Sequence, residues 1–198
     1  MKRRSAFTLA ELLVYIGVLS VFTTALYAVV NLSIRHVRIS EARGDTSQHN
    51  LQAMMRVNQV LKGGANGTLQ VQQNPPALML LSAAPPMGTN YEVDGSGQLL
   101  WQQWVCVRFD AASQRILCSQ QVITPTPTIP TAPSFVTMAA LPPRVLGRQI
   151  TALEFTLVDA RTVSYSVTSS VTPSISTRHV GNNARISSTT VGLLSMRN

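Results

Sequence analysis

From Leu12 to Leu32 the chain runs LLVYIGVLSVFTTALYAVVNL, without one charged side chain. About 20 apolar residues at about 1.5 Å of rise each reach across the ~30 Å hydrocarbon core of a bilayer. Tyr15 and Tyr27 lie near the two ends of the run, where interfacial aromatics sit. Lys2, Arg3 and Arg4 precede it, and the bias of cations toward the cytoplasmic side puts Met1 inside and the bulk of the chain across the membrane. Arg35 and Arg38 follow the run and soften that assignment without reversing it. A cleavable secretory signal is the simpler alternative, with an apolar core of about 7–15 residues and a small-x-small site at its end. Here the run is longer, and the best such site, Thr23 and Ala25, lies inside it. A plain anchor leaves Glu11 unexplained, the only charge between Arg4 and Arg35.

The helical pattern continues past the apolar run. Ile34, Val37, Leu51, Met54, Met55, Val60 and Leu61 recur at roughly helical spacing with polar residues between. No proline interrupts the chain from Phe7 to Lys62, and Gly44 is its one weak point, costing about 1 kcal/mol relative to alanine. Gly63-Gly64 supplies a stop signal. The spacing predicts one continuous helix on the order of 80 Å long, its first half in lipid and its second half amphipathic. Such a helix needs something to lie against.

Lys2-Arg3-Arg4-Ser5-Ala6-Phe7-Thr8-Leu9-Ala10-Glu11-Leu12-Leu13-Val14 resembles the N-terminal signal of type IV pilins and pseudopilins. The resemblance implies a short basic leader, residues 1–6, removed on the cytoplasmic side by a prepilin peptidase between Ala6 and Phe7. The same enzyme would then N-methylate Phe7. The family usually carries glycine before the cut, where this chain has Ala6, and many major pilins carry a proline where this chain has Ala28. An unpaired carboxylate within a membrane helix costs about 2.5–3.5 kcal/mol on insertion scales, so it usually finds a partner. The amine created at Phe7 lies one helical turn from Glu11, and the family implies pairing with the amine of a neighbouring subunit, which sets the register of helices in a filament. The alternative for Glu11 is a helix-end residue snorkelling to the interface. The implied partners are the peptidase, other pilin or pseudopilin subunits through the N-terminal helix, and inner-membrane lipid.

Beyond Gly64 the pattern turns to short strands and turns. Ala77 to Ala83 reads as a buried strand between Pro75-Pro76 and Pro85-Pro86, and the stretch from Glu92 to Gly97 is turn chemistry. From Leu99 to Phe109, Trp101, Val105, Val107 and Phe109 alternate with Trp104, Cys106 and Arg108. A loop at 110–114 returns the chain along Arg115 to Val122. If the hairpin centres on Ala112, Cys106 and Cys118 face each other, which predicts a cross-strand disulfide in a domain outside the cytoplasm. The alternative is two free buried thiols. The segment 123–134 (ITPTPTIPTAPS) is expected outside any ladder, as a plain connector, with a polyproline ligand the rarer alternative. Residues 150–158 and 162–167 form a second hairpin around Asp159-Ala160-Arg161, and Ser187 to Met196 adds a last strand.

The expected fold is therefore α+β: a long N-terminal helix packed on a C-terminal antiparallel sheet domain. Its parts are the leader (1–6), the membrane half of the helix (7–32), the amphipathic half (33–62) and a β-rich pilin-like domain (65–198). The order of elements, the Trp/Val-rich hairpin and the Arg197-Asn198 end resemble the larger minor pseudopilins, the J-type subunit of type II secretion and PilW-type minor pilins. This likeness is looser than the N-terminal one.

The net charge of +8 and pI of about 10.5 invite an anionic partner. Beyond Gly64, however, the arginines are scattered singly and no basic stripe forms, so a DNA partner is disfavoured. His36, His49 and His179 are isolated. Glu92-x-Asp94 is thin for calcium, which takes 6–8 oxygen ligands. Asn66-Gly67-Thr68 fits a glycosylation sequon that a bacterial chain seldom uses. No metal, cofactor or catalytic constellation is read from the chain. The leading expectation is a structural filament subunit. The alternative is a single-pass, membrane-anchored periplasmic binding module unrelated to filament assembly.

Overall fold

The structure, a computed structural model, describes residues 8–65, 67–85, 91–159, 161–171 and 186–195. Ala6 and Phe7 lie outside the described residues, as do Asn66, His179 and the Arg197-Asn198 end. A single α-helix, α1, runs from Leu9 to Leu61. Lys62 still has helical backbone angles and donates its N–H to the Asn58 carbonyl. The chain then leaves through Gly63-Gly64, and Gly64 bridges to Ser82. No left-handed residue closes this helix; among the described residues the glycines with positive φ are Gly67 and Gly97. Gly63 serves a different purpose from the expected cap, because a Cβ there would lie 2.7 Å from the Ser82 hydroxyl oxygen. Its missing side chain lets the helix end touch a strand.

Eight strands follow among the described residues: β1 (Gln70–Gln73), β2 (Pro76–Ser82), β3 (Trp101–Asp110), β4 (Arg115–Thr126), β5 (Arg144–Arg148), β6 (Ile150–Leu157), β7 (Thr162–Val171) and β8 (Ile186–Ser195). A short helix, α2 (Phe135–Ala140), intervenes between β4 and β5. The strands form a five-stranded sheet in the order β1-β2-β3-β4-β5 and a three-stranded sheet in the order β6-β7-β8. Every pairing is antiparallel. The architecture is the α+β one expected, with β1, β5 and α2 additional to the elements read from the sequence.

The main core lies between α1 and both sheets. Val57 and Leu61 meet Leu78 and Leu80 of β2, Val105 and Val107 of β3, Ile116 of β4, Leu146 of β5, Phe155 of β6 and Tyr165 of β7. A second, smaller core covers the opposite face of the five-stranded sheet. There Met79, Leu81, Trp104 and Cys106 are closed over by Met138 and Phe135 of α2. β3 is thus buried on both faces through its middle.

Three expectations need correction. The face that α1 buries is Ala42, Thr46, Asn50, Ala53, Met54, Val57 and Leu61, whereas Leu51 and Met55 are 54% and 62% exposed. Ala42, Thr46, Asn50 and Ala53 let the helix sit close to the sheets and Met54, Val57 and Leu61 enter the core, while Leu51 and Met55 point away. Trp101 belongs with Trp104 and Cys106, because an irregularity between Trp101 and Gln103 shifts the alternation. And β4 continues through Thr126, which pairs with Trp101. The register jumps from Val122 to Thr126, leaving Ile123, Thr124 and Pro125 in the irregular stretch, where a proline costs no ladder bond.

Candidate functional site

The residues that the sequence singles out lie at the N-terminal end of α1. Thr8 is the N-cap, in extended conformation (φ −78°, ψ 151°). The Glu11 N–H donates to the Thr8 hydroxyl at 3.3 Å. In return the Glu11 Oε2 accepts from the Thr8 N–H at 3.0 Å and from its hydroxyl at 3.1 Å. This reciprocal capping box satisfies donors that the first turn of any helix leaves unpaired. It also answers in part how an apolar helix tolerates a carboxylate. One oxygen is held within the chain, while Oε1 has no partner among the described residues. A carboxylate accepts several hydrogen bonds, so the geometry leaves Glu11 able to take a cation from outside.

The apolar half that follows is almost entirely exposed. Leu12, Tyr15, Ile16 and Leu19 line one exposed apolar surface, and Phe22 is 64% exposed. This is the one helix among the described residues long and apolar enough to cross a membrane, and its most apolar window has none of its surface buried. Its hydroxyls are dealt with locally. Ser20 donates to the Gly17 carbonyl at 2.8 Å, Thr23 to Leu19 at 2.7 Å, Thr24 to Ser20 at 2.8 Å and Ser33 to Val29 at 2.9 Å. Those bonds remove the main cost of placing hydroxyls in lipid.

The two cysteines are not bonded to each other. The loop between β3 and β4 holds four residues, 111–114, and Asp110 pairs with Arg115. Gln114, in the left-handed conformation (φ 53°), turns instead of pairing. Cross-strand partners are therefore Cys106 with Ser119 and Val107 with Cys118, one residue away from the expected register. A slip of one residue moves a side chain to the other face. Cys118 lies in the main core and Cys106 in the second core, with the sheet between them. The expected disulfide is thus overturned. Burial pushes both thiols up, Cys106 to about 11 and Cys118 to about 12, with the neighbouring Cys106 adding to the rise at Cys118.

The remaining polar features are structural. Asp94 Oδ1 accepts from the Ser96 N–H and hydroxyl and from the Gln98 N–H, and these bonds hold its carboxyl below the usual range. It caps a turn. Among the described residues no three His, Cys, Asp or Glu side chains come together as a metal site. His36 is exposed and His49 half-buried, on different parts of α1. Polar ties between α1 and the sheets carry no signal in the sequence pattern and emerge only from the fold. Asn50 donates to the Ser188 carbonyl at 2.7 Å, Arg56 to the Leu146 carbonyl at 3.2 Å, and Tyr165 to Asn58 Oδ1 at 2.7 Å.

Residues 1–27 match the family model for the prokaryotic N-terminal methylation motif. No curated protein and no solved structure matches the chain. The motif supports a type IV pilin-like chain of the prepilin-substrate type, and it implies processing by a prepilin peptidase and assembly with other pilins. An N-terminal apolar helix bearing this motif is consistent with anchoring in a membrane.

Proposed function

We propose that the chain is a minor pilin or pseudopilin, a structural subunit of a type IV pilus or of a type II secretion pseudopilus. In this reading the peptidase cuts between Ala6 and Phe7 and methylates Phe7. The protein waits in the inner membrane with its N-terminus in the cytoplasm and its β-rich domain outside. It then enters the filament through α1. One observation carries the proposal: the methylation motif opens a helix whose apolar half buries nothing within its own chain. Large apolar surfaces left uncovered need another partner, first lipid and then neighbouring helices. Glu11 fits both stages, bound to Thr8 through one oxygen and open at the other for the amine of an adjacent subunit.

Intact-mass and N-terminal analysis of the chain from the membrane fraction tests this reading. A terminus at methylated Phe7 supports it. An intact Met1, or a cut near Ala25, leaves the anchored binding module as the better account. Glu11→Ala is expected to insert normally and to enter filaments poorly, read by shearing filaments and blotting for the subunit. Unchanged incorporation would refute the pairing with a neighbour's amine.

A further inference from the structure

The strap formed by the irregular end of β4 and the chain leading to α2 carries hydroxyls that the filament reading leaves unused. Prolines stand at positions 125, 127, 130 and 133, alternating with Thr124, Thr126, Thr128 and Thr131. Between Pro127 and Pro133 no backbone N–H donates to another backbone group among the described residues. The strap lies over the second core, on the face of the five-stranded sheet away from α1, pinned by Ile123 and Ala132. Thr124, Thr128 and Thr131 point outward and are exposed. Their hydroxyls are not equivalent to the others nearby. Thr126 is half-buried and accepts the Thr128 N–H at 3.2 Å. Ser134 caps α2, accepting the Thr137 N–H at 3.1 Å. The hydroxyls of Thr124 and Thr131 have no protein partner among the described residues, and that of Thr128 meets only Thr126, at 2.9 Å.

We propose that Thr124, Thr128 and Thr131 are acceptors for O-linked glycosylation. Threonine spaced by proline is the composition of O-glycosylated segments, and the structure supplies the mechanical reason. A transferase must hold its acceptor extended in a cleft, and this exposed chain has no backbone-to-backbone bonds around Thr128 and Thr131, while Thr124 lies in the stretch of β4 that is out of register, between Val122 and Thr126. The hydroxyls of the three-stranded sheet do not qualify. Thr168 and Thr189 sit on paired strands and bond each other at 2.9 Å, so reaching them would mean opening the ladder. In the transfer, the threonine oxygen attacks the anomeric carbon of a sugar carried as a glycosyl diphosphate on a lipid or nucleotide. The new C–O bond forms as the anomeric carbon–phosphate oxygen bond breaks. The phosphate leaves with the electron pair, and a base on the transferase takes the hydroxyl proton. The sugars would stand on the side opposite α1, clear of the surface used for helix packing. The proposal does not depend on the filament reading, because acceptor geometry is a property of the strap alone.

Trypsin releases the whole strap in one peptide, Ile116 to Arg144, which contains no other arginine or lysine. The test is the mass of this peptide from the full chain purified out of its native host's membranes. Electron-transfer fragmentation then locates any added group. A mass above that of the sequence by one or more sugar residues, located on Thr124, Thr128 or Thr131, is the expected result. The triple variant Thr124→Val, Thr128→Val, Thr131→Val should lose the increment and keep the parent's melting temperature, since the three side chains are exposed. A peptide found only at its unmodified mass overturns the proposal. So does an increment that persists in the triple variant or maps to other residues.

Discussion

The two halves of α1 use one helix in opposite ways. The first half is the most apolar stretch of the chain and buries nothing. The second half places Thr46 and Asn50 at zero exposure while Leu51 and Met55 face outward. Burial in this molecule follows the availability of a partner more closely than it follows hydrophobicity. Thr46 offers its carbonyl to the Ser169 hydroxyl at 3.1 Å, and Asn50 reaches the β8 backbone. Buried polar groups are tolerated when bonded. The apolar half has no partner in its own chain, and so its surface is left for lipid or for other helices.

The sharpest way to break this comparison is to remove the same side chain from each half. Leu61→Ala opens a cavity in the main core and is expected to cost about 2–5 kcal/mol. Leu19→Ala should leave the stability of the domain unchanged. Chemical denaturation of the full chain in detergent, followed by the fluorescence of Trp101 and Trp104, reads both. A Leu19→Ala shift comparable to that of Leu61→Ala would mean that the first half supports the domain after all.

Glycines give a second contrast, this time of sign. A Cβ on Gly147 would lie 2.9 Å from that of Ala53, where neither side has a flexible end to move. Gly147→Ala is expected to destabilise the domain by about 1–3 kcal/mol. Gly44 lies within α1, where an added methyl group would meet nothing within 4 Å. Gly44→Ala should stabilise the helix by up to about 1 kcal/mol. An unchanged or raised midpoint for Gly147→Ala would contradict the close approach at Ala53. A smaller effect is expected from Tyr165→Phe, which removes the bond to Asn58 and costs about 0.5–1.5 kcal/mol in the same assay.

How much of the molecule is readable from its sequence depends on the kind of signal. The uncharged run, the absence of proline to Lys62 and the alternation around Trp104 are local patterns, and α1, β2, β3, β6 and β7 follow from them. The N-terminal site is likewise local: Thr8, Glu11 and the residues before them form one contiguous motif. The buried face of α1 is less legible, because Ala42, Thr46, Asn50 and Ala53 have no hydrophobic signature of their own. They are selected by the closeness of Gly147 and the carbonyl of Ser188, which come from distant sequence. β5 is short and is bounded by Arg144 and Arg148, so its membership in the sheet depends on β4 being there first. The disulfide fails on a single residue. A glutamine in left-handed conformation carries no signal comparable to asparagine or glycine, and one extra loop residue is enough to separate the thiols.

That separation makes a last prediction, small at neutral pH and measurable only in alkali. Both thiols are raised well above the ordinary value of about 8.5, and burial raises Tyr165 to about 12. A raised pKa means that the folded state holds its proton more tightly. The associated stability is complete below about pH 8.5 and is lost as pH rises toward 11 to 12. Between about pH 9 and 10 each thiol should take away on the order of 1 kcal/mol. The paired variant Cys106→Ala, Cys118→Ala should show a shallower decline over that interval, though it begins from a lower stability because two buried side chains are truncated. The loss should fall on the domain that the second half of α1 closes. In detergent the first half is expected to keep its helical circular dichroism while tryptophan fluorescence reports unfolding. A decline of equal slope in the paired variant would show that the thiols do not carry it, and loss of both signals together would show that the two halves of α1 melt as one unit.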